Sequence, residues 1–257
     1  MRKIFLNEFT TKEINQKLKD NELDSAITVF GSCESHGNHM CLGPDLFVPT
    51  EIARQAALRL HKTIVVPGIP FGASMHYNQF PLSITMRFET IIAIAEDIFD
   101  SLILHGIKHI LILNGHDGNI PALEIAARKV KDRHKESVII LIPAWWEITG
   151  HKMVEDFDVW NGLGHGGEGE TSITMAVRPD LVSIEDAVGY TPKDIIRLCD
   201  HSSIIWDIKE ITHTGATGDP SKATREKGEK MLNIMVDYIE KTIIAFEKDN
   251  WNYDLRQ

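Results

Sequence analysis

The sequence predicts an α/β protein, a three-layer α/β/α arrangement in which helices cover both faces of a mostly parallel central sheet. Short apolar runs that are typical of buried strands alternate along the chain with segments of helical periodicity. The run at residues 108–115 is apolar on both faces, a pattern typical of a central parallel strand. We see no linker, repeat or low-complexity tract, so we expect one domain over residues 1–257.

Each element is predicted from its local pattern. Thr10 followed by Glu13 resembles a capping box, which predicts a helix through about Lys19. Residues 68–85 have several early prolines and glycines and no steady period, so we predict a long loop, and such loops are usually functional. Buried strands are predicted at residues 26–31, 63–67, 108–115 and 137–142. Further helices are predicted at residues 49–60 with Pro49 near the first turn, 87–105, 121–135, 170–177, and onward from about 219.

The composition limits the classes of function. The hydrophobic fraction of 43% and the charged fraction of 25% are ordinary for a soluble globular protein with a sizeable core. A formal charge of -10 argues against a nucleic acid or an anionic membrane as partner. Three cysteines make no even disulfide framework, the N-terminus turns polar too early for a signal peptide, and no apolar run is long enough to span a bilayer. We therefore expect a cytoplasmic protein.

The most informative stretch runs from Phe30 to Asp45, directly after the first predicted strand. Glu34 and His36 are two residues apart, so in extended chain their side chains lie on the same side. Asp45 follows a turn that can fold its carboxylate back toward that pair. Glu, His and Asp together suit zinc, manganese or ferrous iron. The alternative is a polar loop whose histidine bonds local backbone.

Two later clusters add candidates of the same kind. His116 lies between Gly115 and Gly118 just past a strand, and ligands of parallel sheets collect at the carboxyl ends of strands. His165 lies on a glycine-rich loop, and Glu170 is predicted to begin the helix that follows. The alternatives are a structural histidine at a strand end and a flexible surface loop before an acidic helix start.

Taken together, these stretches resemble the creatininase family. The resemblance rests on residues 31–45, on 114–119, on 165–172 and on Gly215-Ala-Thr-Gly-Asp-Pro-Ser-Lys-Ala-Thr, which stand in the family's order. It implies a hydrolase with two divalent metal ions (zinc, manganese or iron) on an α/β/α fold. It also implies a homo-oligomer, often a hexamer.

The resemblance also implies roles for individual residues. Glu34, Asp45 and His116 match ligands of one metal, and His36 with a bridging Asp45 matches ligands of the other. Creatininase has a glutamate ligand where this chain has Gly118, and Glu170 is our candidate for the missing ligand. His165 matches the catalytic histidine that moves a proton, with Glu170 as its helper if Glu170 is not a ligand. The residues expected to bind the substrate are Ser74, Trp145, Trp146 and His39, with core packing as the alternative for the two tryptophans.

These observations predict a metal-dependent hydrolase of a small polar carbonyl compound, most simply an amidohydrolase that cleaves a cyclic or linear amide C–N bond. At the register of a Trp-Asp pair that closes on the substrate in creatininase, this chain has Asn161-Gly162, with Trp160 one residue away. That difference argues against creatinine itself. The family resemblance also allows a deformylase, a peptidase of cofactor maturation, or a hydrolase that opens a cyclic keto-polyol of the inosose type. The alternative from a different class is a non-catalytic metal-binding protein.

Overall fold

The computed structural model describes residues 2–158, 164–190, 204–253 and 256. In these ranges the fold is built on a four-stranded parallel sheet with the strand order β2-β1-β3-β4. The strands are β1 (Ser25–Phe30), β2 (Thr63–Val65), β3 (His109–Asn114) and β4 (Val138–Ile142). All four coincide with predicted strands, with ends that differ by one or two residues.

Helices connect the strands and complete the domain. They are α1 (Thr11–Lys19), α2 (Pro44–Arg59), α3 (Phe88–Leu104), α4 (Ile120–Arg133), α5 (Trp145–Lys152), α6 (Glu168–Val177), α7 (Ile208–Ile211) and α8 (Arg225–Lys248). The predicted capping box at the start of α1 is confirmed, since Thr10 Oγ1 accepts the Glu13 amide and Glu13 accepts the Thr10 amide. Among the helices of the described ranges, none has the length and apolar character that a bilayer crossing requires.

The two faces of the sheet carry separate hydrophobic cores, which confirms the three-layer prediction. Side chains alternate along each strand. Ile27 and Leu111 therefore pack with α2 and α8 on one face. Their strand neighbours Ala26 and Ile110 instead pack with α3 and α4 on the other.

The order of the strands places a crevice between β1 and β3. From β1 the chain crosses to β2 on one side, then returns past β1 to form β3 on the other. The register pairs Ser25 with His109 and Phe30 with Asn114, so both strands end at the same level. Loops that diverge from adjacent strand ends at such a switch point form the usual ligand site of parallel sheets.

Three predicted helix starts are wrong. Helix α8 begins at Arg225 rather than at about 219, because Thr224 caps it after a separate 3-10 turn at Pro220–Lys222. Helix α2 begins at Pro44, five residues before the predicted start, because Pro44 takes the first-turn position and Pro49 lies inside the helix. Asp45 is therefore on the first turn of α2 rather than in a loop before it. Helix α6 begins at Glu168, so Glu170 lies within its first turn rather than at its start, and the glycines before it did not prevent the earlier start.

Helices α6 and α8 approach so closely that their contact excludes a side chain. A Cβ added at Gly228 of α8 would lie 1.9 Å from the carbonyl oxygen of Ser172 in α6. The same residue is tied to the start of α8, since the Thr224 amide donates to Ser172 Oγ at 3.1 Å. The spacing of these two helices therefore depends on glycine at position 228.

We predict that Gly228→Ala lowers the free energy of unfolding by about 1–3 kcal/mol, the usual cost of overpacking. Alanine is intrinsically better than glycine in a helix by about 1 kcal/mol, so a net loss isolates the steric clash. Urea unfolding measures it, with Lys241→Ala on the exposed face of α8 as the control, expected within about 0.5 kcal/mol of wild type. A variant as stable as wild type would show that the helices can separate without cost.

Candidate active site

Five side chains from four parts of the chain meet above the ends of β1 and β3. They are Glu34 and His36 from the loop after β1, Asp45 from α2, His116 from the loop after β3, and Glu170 from α6. The first four are buried, and the Glu170 side chain is 17% exposed. In the described part of the chain only histidines form ion pairs with the three carboxylates.

The five residues form two sets of three that share Asp45. Glu34, Asp45 and His116 make one set, and His36, Asp45 and Glu170 make the other, with the ligand atoms of each set within 4.8 Å of one another. Asp45 Oδ2 lies 3.3 Å from His116 Nδ1, whereas Asp45 Oδ1 lies 3.0 Å from His36 Nε2. Each oxygen of this carboxylate thus faces a different set.

The hydrogen bonds of the two imidazoles decide which nitrogen faces the cluster. His36 Nδ1 is 3.0 Å from the Glu34 carbonyl oxygen, and His116 Nε2 is 3.1 Å from the Ala73 carbonyl oxygen. A carbonyl accepts only, so each of these nitrogens carries the proton. The opposite nitrogens, His36 Nε2 and His116 Nδ1, face the carboxylates, where they would carry a proton without a metal ion and would offer a lone pair to an ion that displaces it. Metal-binding histidines are commonly oriented in this way.

The electrostatics of the cluster favour bound positive charge. Burial alone would raise the pKa of Glu34 and of Asp45, yet the neighbouring imidazoles hold both below their ordinary values. Conversely, burial would lower the pKa of His36 and of His116, but the carboxylates raise both well above the ordinary value. Ionised carboxylates buried without lysine or arginine are costly unless a cation is bound among them.

The donor set fits divalent metal ions. Glu34 Oε1 and Asp45 Oδ2 are buried and have no hydrogen-bond partner, although each lies 3.3 Å from His116 Nδ1. That separation is too long for a good hydrogen bond. It matches the spacing of about 3.3 Å between ligand atoms of a tetrahedral ion with bonds near 2.0 Å. The atoms are arranged as ligands around a common centre rather than as partners of one another.

Close backbone contacts place Asp45 between the strand ends. A Cβ at Gly115 would lie 1.9 Å from the Asp45 carbonyl oxygen, so only glycine lets α2 approach β3 this closely. Pro49 has no amide to donate to that carbonyl within the helix. The first turn of α2 can therefore bring this carbonyl against Gly115 and direct the Asp45 side chain into the crevice.

Gly118 is explained by the loop that packs against it. A Cβ there would meet the Ala73 carbonyl oxygen at 2.2 Å and His116 Nε2 at 2.6 Å, so this position has no room for a glutamate. Glu170 instead reaches the cluster from the opposite side. Its Oε1 lies 3.6 Å from His36 Nε2, and its Oε2 accepts the Gly166 amide at 2.6 Å.

His165 borders the cluster and is held firmly from two directions. Its Nε2 donates to the Ser35 carbonyl oxygen at 2.7 Å, which leaves Nδ1 as an acceptor 3.8 Å from Glu34 Oε1. Its backbone pairs with Thr217, whose hydroxyl accepts the His165 amide and whose amide donates to the His165 carbonyl. Burial, together with the positive charge of His36, lowers the pKa of His165, which favours a neutral imidazole. Residues 215–219 thus hold the backbone of His165 in place through Thr217.

A cavity of about 250 Å³ opens onto the cluster. It is polar at its floor and largely apolar on its walls. The wall residues include Trp145, Trp146, Trp206, Ile208, Ile211 and Met231, with Tyr77 and His76 on the side of residues 68–87. Trp145 and Trp146 therefore do line the cavity, although Trp145 is only 2% exposed and packs in the core as well.

Ser74 and His39 do not line the cavity, so their role in substrate binding stays a prediction. Ser74 is fully buried behind the cluster and shares a hydrogen bond with Ser32, whose hydroxyl donates to Glu34 Oε2 at 2.9 Å. His39 is buried against α6, with its Nε2 2.9 Å from Thr171 Oγ1. The contacts described for these two residues are with the surroundings of the cluster and with α6.

Among the residues of the cavity wall that the sequence analysis missed are His76, Tyr77 and Trp206. The first two fall in residues 68–85, the long loop that was predicted to be functional. The loop could be recognised from the sequence, but nothing in the sequence pointed to His76 or Tyr77 within it. Trp206 gave no local signal. Residues 160–162, at the register that argued against creatinine, lie outside the described residues.

Comparisons with known proteins agree with this geometry. The creatininase family model, described as creatinine amidohydrolase, matches residues 7–243. Creatinine amidohydrolase of Pseudomonas putida is 26% identical over 255 residues, which cover 93% of this chain and 96% of that protein. The 3-dehydro-scyllo-inosose hydrolase of Thermotoga maritima is 26% identical over 265 residues, covering 93% and 82%. The mycofactocin precursor peptide peptidase of Mycobacterium ulcerans is 25% identical over 221 residues, covering 83% and 82%.

Solved structures show the same fold. A protein of Bacteroides fragilis superposes with a TM-score of 0.81 at 28% identity, over 100% of both chains. A manganese form of creatininase superposes with a TM-score of 0.79 at 25% identity, over 95% of this chain and 98% of the other. Because the family match spans nearly the whole chain, the protein belongs to the creatininase family and is a hydrolase of that family.

Proposed function

We propose that the protein is a dinuclear metal-dependent amidohydrolase that cleaves the C–N bond of a small polar amide. The observation that carries the proposal is the pair of ligand sets sharing Asp45, with one carboxylate oxygen directed at each. Glu34, Asp45 and His116 would hold one ion, and His36, Asp45 and Glu170 the other. Zinc, manganese and iron all suit carboxylate and imidazole ligands. Such ions polarise a carbonyl and lower the pKa of a water molecule.

His165 is our candidate for proton transfer. Its Nδ1 faces the cluster with a lone pair, while the bond from Nε2 to Ser35 fixes the ring. A neutral imidazole in this position can accept a proton from the attacking water and return it to the departing amine. Glu170 is placed beside it but is assigned to the second ion. The third group of nearby ligand atoms, formed by Glu34, His36 and His165, would assign His165 to a metal instead, and the experiments below separate these roles.

The cavity limits the substrate to a small molecule with a polar reacting group and an apolar or flat remainder. Tryptophan side chains on the wall suit the faces of planar groups. A second candidate function is hydrolytic ring opening of a cyclic keto-polyol, because the inosose hydrolase has the same 26% identity to this chain as the creatinine amidohydrolase, although over 82% rather than 96% of its length. Incubating the metal-loaded protein with cyclic amides, formamides and inosose-type ketones would separate the two. Turnover of the ketones alone would overturn the amide proposal.

We further propose that the chain forms a homo-oligomer of single-domain subunits in the cytoplasm. Exposed apolar side chains on the loop beside the cavity, such as Leu82 at 79% exposure and Ile84 at 43%, support an interface between copies.

We predict two metal ions per chain at saturation, measured by elemental analysis after dialysis. Asp45→Ala should abolish binding of both ions, because the carboxylate belongs to both ligand sets. Asp117→Asn is the control, since Asp117 lines the cavity outside every ligand set and should leave two ions bound. One ion per saturated wild-type chain would contradict the dinuclear centre.

We predict that Glu170→Gln loses one ion and keeps the other, because Glu170 contributes to only one set. Activity should fall together with the metal content. The exposed Glu185→Gln serves as the control for loss of one negative charge. If Glu170→Gln retains both ions while its activity falls, Glu170 acts in proton transfer and the ligand assignment is wrong.

We predict that His165→Ala retains both ions and lowers kcat by about 10²–10⁴-fold, the usual contribution of a positioned acid or base. Substrates whose leaving group needs no proton, such as activated anilides, should lose least. His151→Ala, on the exposed side of α5, is the matched control and should leave kcat unchanged. Loss of an ion from His165→Ala would instead identify His165 as a ligand.

A further inference from the structure

Tyr77 is a fixed part of the cavity wall that has no role in the proposed chemistry so far. It ends a single 3-10 turn, Met75–Tyr77, and its backbone is bonded at both ends, since its amide donates to Ser74 and its carbonyl accepts the Phe80 amide. The residue is only 3% exposed. Its ring packs against two imidazoles, with centroid distances of 4.5 Å to His165 and 4.5 Å to His76. The ring therefore has little freedom to move.

The phenolic hydroxyl of Tyr77 has no hydrogen-bond partner in the described part of the chain. It is nevertheless not sealed in the core, because Tyr77 lines the cavity and its oxygen is not among the fully buried atoms that lack a partner. A tyrosine this deeply buried normally satisfies its hydroxyl. Among the described residues, the hydroxyl is therefore free to bond with a molecule that occupies the cavity.

The hydroxyl is a hydrogen-bond donor under all ordinary conditions. A phenol keeps its proton at neutral pH. Burial, and next the carboxylates of Glu34, Glu170 and Asp45, raise the pKa of Tyr77 further. A donor held against the ring of His165 is thus available at the place where the proposed proton transfer occurs.

We propose that Tyr77 is a substrate-binding residue that donates a hydrogen bond to an acceptor oxygen of the substrate, next to the bond that is hydrolysed. The proposal rests on the hydrolase function assigned to this site. It adds that the preferred substrate carries an oxygen beside the reacting carbon, either the carbonyl itself or a neighbouring hydroxyl or carboxylate. A donor fixed before the substrate arrives loses little entropy on binding.

The test is calorimetric binding of acetohydroxamate to the zinc-loaded protein. This probe presents a carbonyl oxygen and an adjacent oxyanion to a metal centre. We expect Tyr77→Phe to bind two zinc ions and to bind acetohydroxamate about tenfold more weakly, as expected for one lost hydrogen bond. Tyr238→Phe is the matched control, since this tyrosine is on the exposed side of α8 at 36% exposure. It should bind the probe as wild type does.

The outcomes separate this inference from the hydrolase proposal. Because phenylalanine keeps the ring contacts and the described residues give the hydroxyl no partner, Tyr77→Phe should melt at the wild-type temperature. A lower melting temperature would show that the hydroxyl bonds to the protein and would overturn the inference. Unchanged affinity for acetohydroxamate in a variant that still binds zinc would overturn it too, while leaving the dinuclear centre intact. A wild-type protein that binds neither zinc nor the probe would instead refute the proposed function.

Discussion

The site depends on one electrostatic constraint, the gathering of three carboxylates in a place with little access to water. Glu34 and Asp45 are buried, Glu170 is mostly so, and their ion-pair partners in the described chain are histidines. Burying such charges is unfavourable unless cations neutralise them. The fold provides that opportunity by directing one ring nitrogen each of His36 and His116 into the same space. Folding and metal binding are therefore expected to support each other.

The fold brings these groups together from distant parts of the chain. The switch point between β1 and β3 supplies Glu34, His36 and His116 from two adjacent strand ends. Helix α2 adds Asp45 because Gly115 allows its first turn to touch the strand end. Helix α6 adds Glu170 from the far side, and its own position is set by the close contact with α8. Helices thus place Asp45 and Glu170, and loops that leave adjacent strand ends place Glu34, His36 and His116.

Around the cluster, a second set of groups makes hydrogen bonds that orient the candidate ligands and His165. The Glu34 and Ala73 carbonyls fix the two imidazoles, Ser32 bonds Glu34, and Thr217 holds the backbone of His165. The result is a floor of fixed donors and acceptors beneath an apolar cavity. Donors and acceptors that are fixed in advance stabilise developing charge on a substrate without having to reorganise. Ser74 and His39 belong to the same set of supporting contacts, since Ser74 bonds Ser32 and His39 bonds Thr171.

The sequence by itself determined the fold class, the four strands, most helices and the residue types of the site. These follow from local patterns, since strand periodicity, turn residues and the polar residues at strand ends can be read over a few positions. It did not determine where α2, α6 and α8 begin. Pro44 takes the first turn of α2, α6 starts directly after its glycines, and Thr224 caps α8. Only the tertiary structure decided how Asp45 is shared, why Gly118 excludes a side chain, and that Tyr77 faces the cavity. Each of these is a contact between residues far apart in the chain, and distances of that kind are set by packing rather than by sequence spacing.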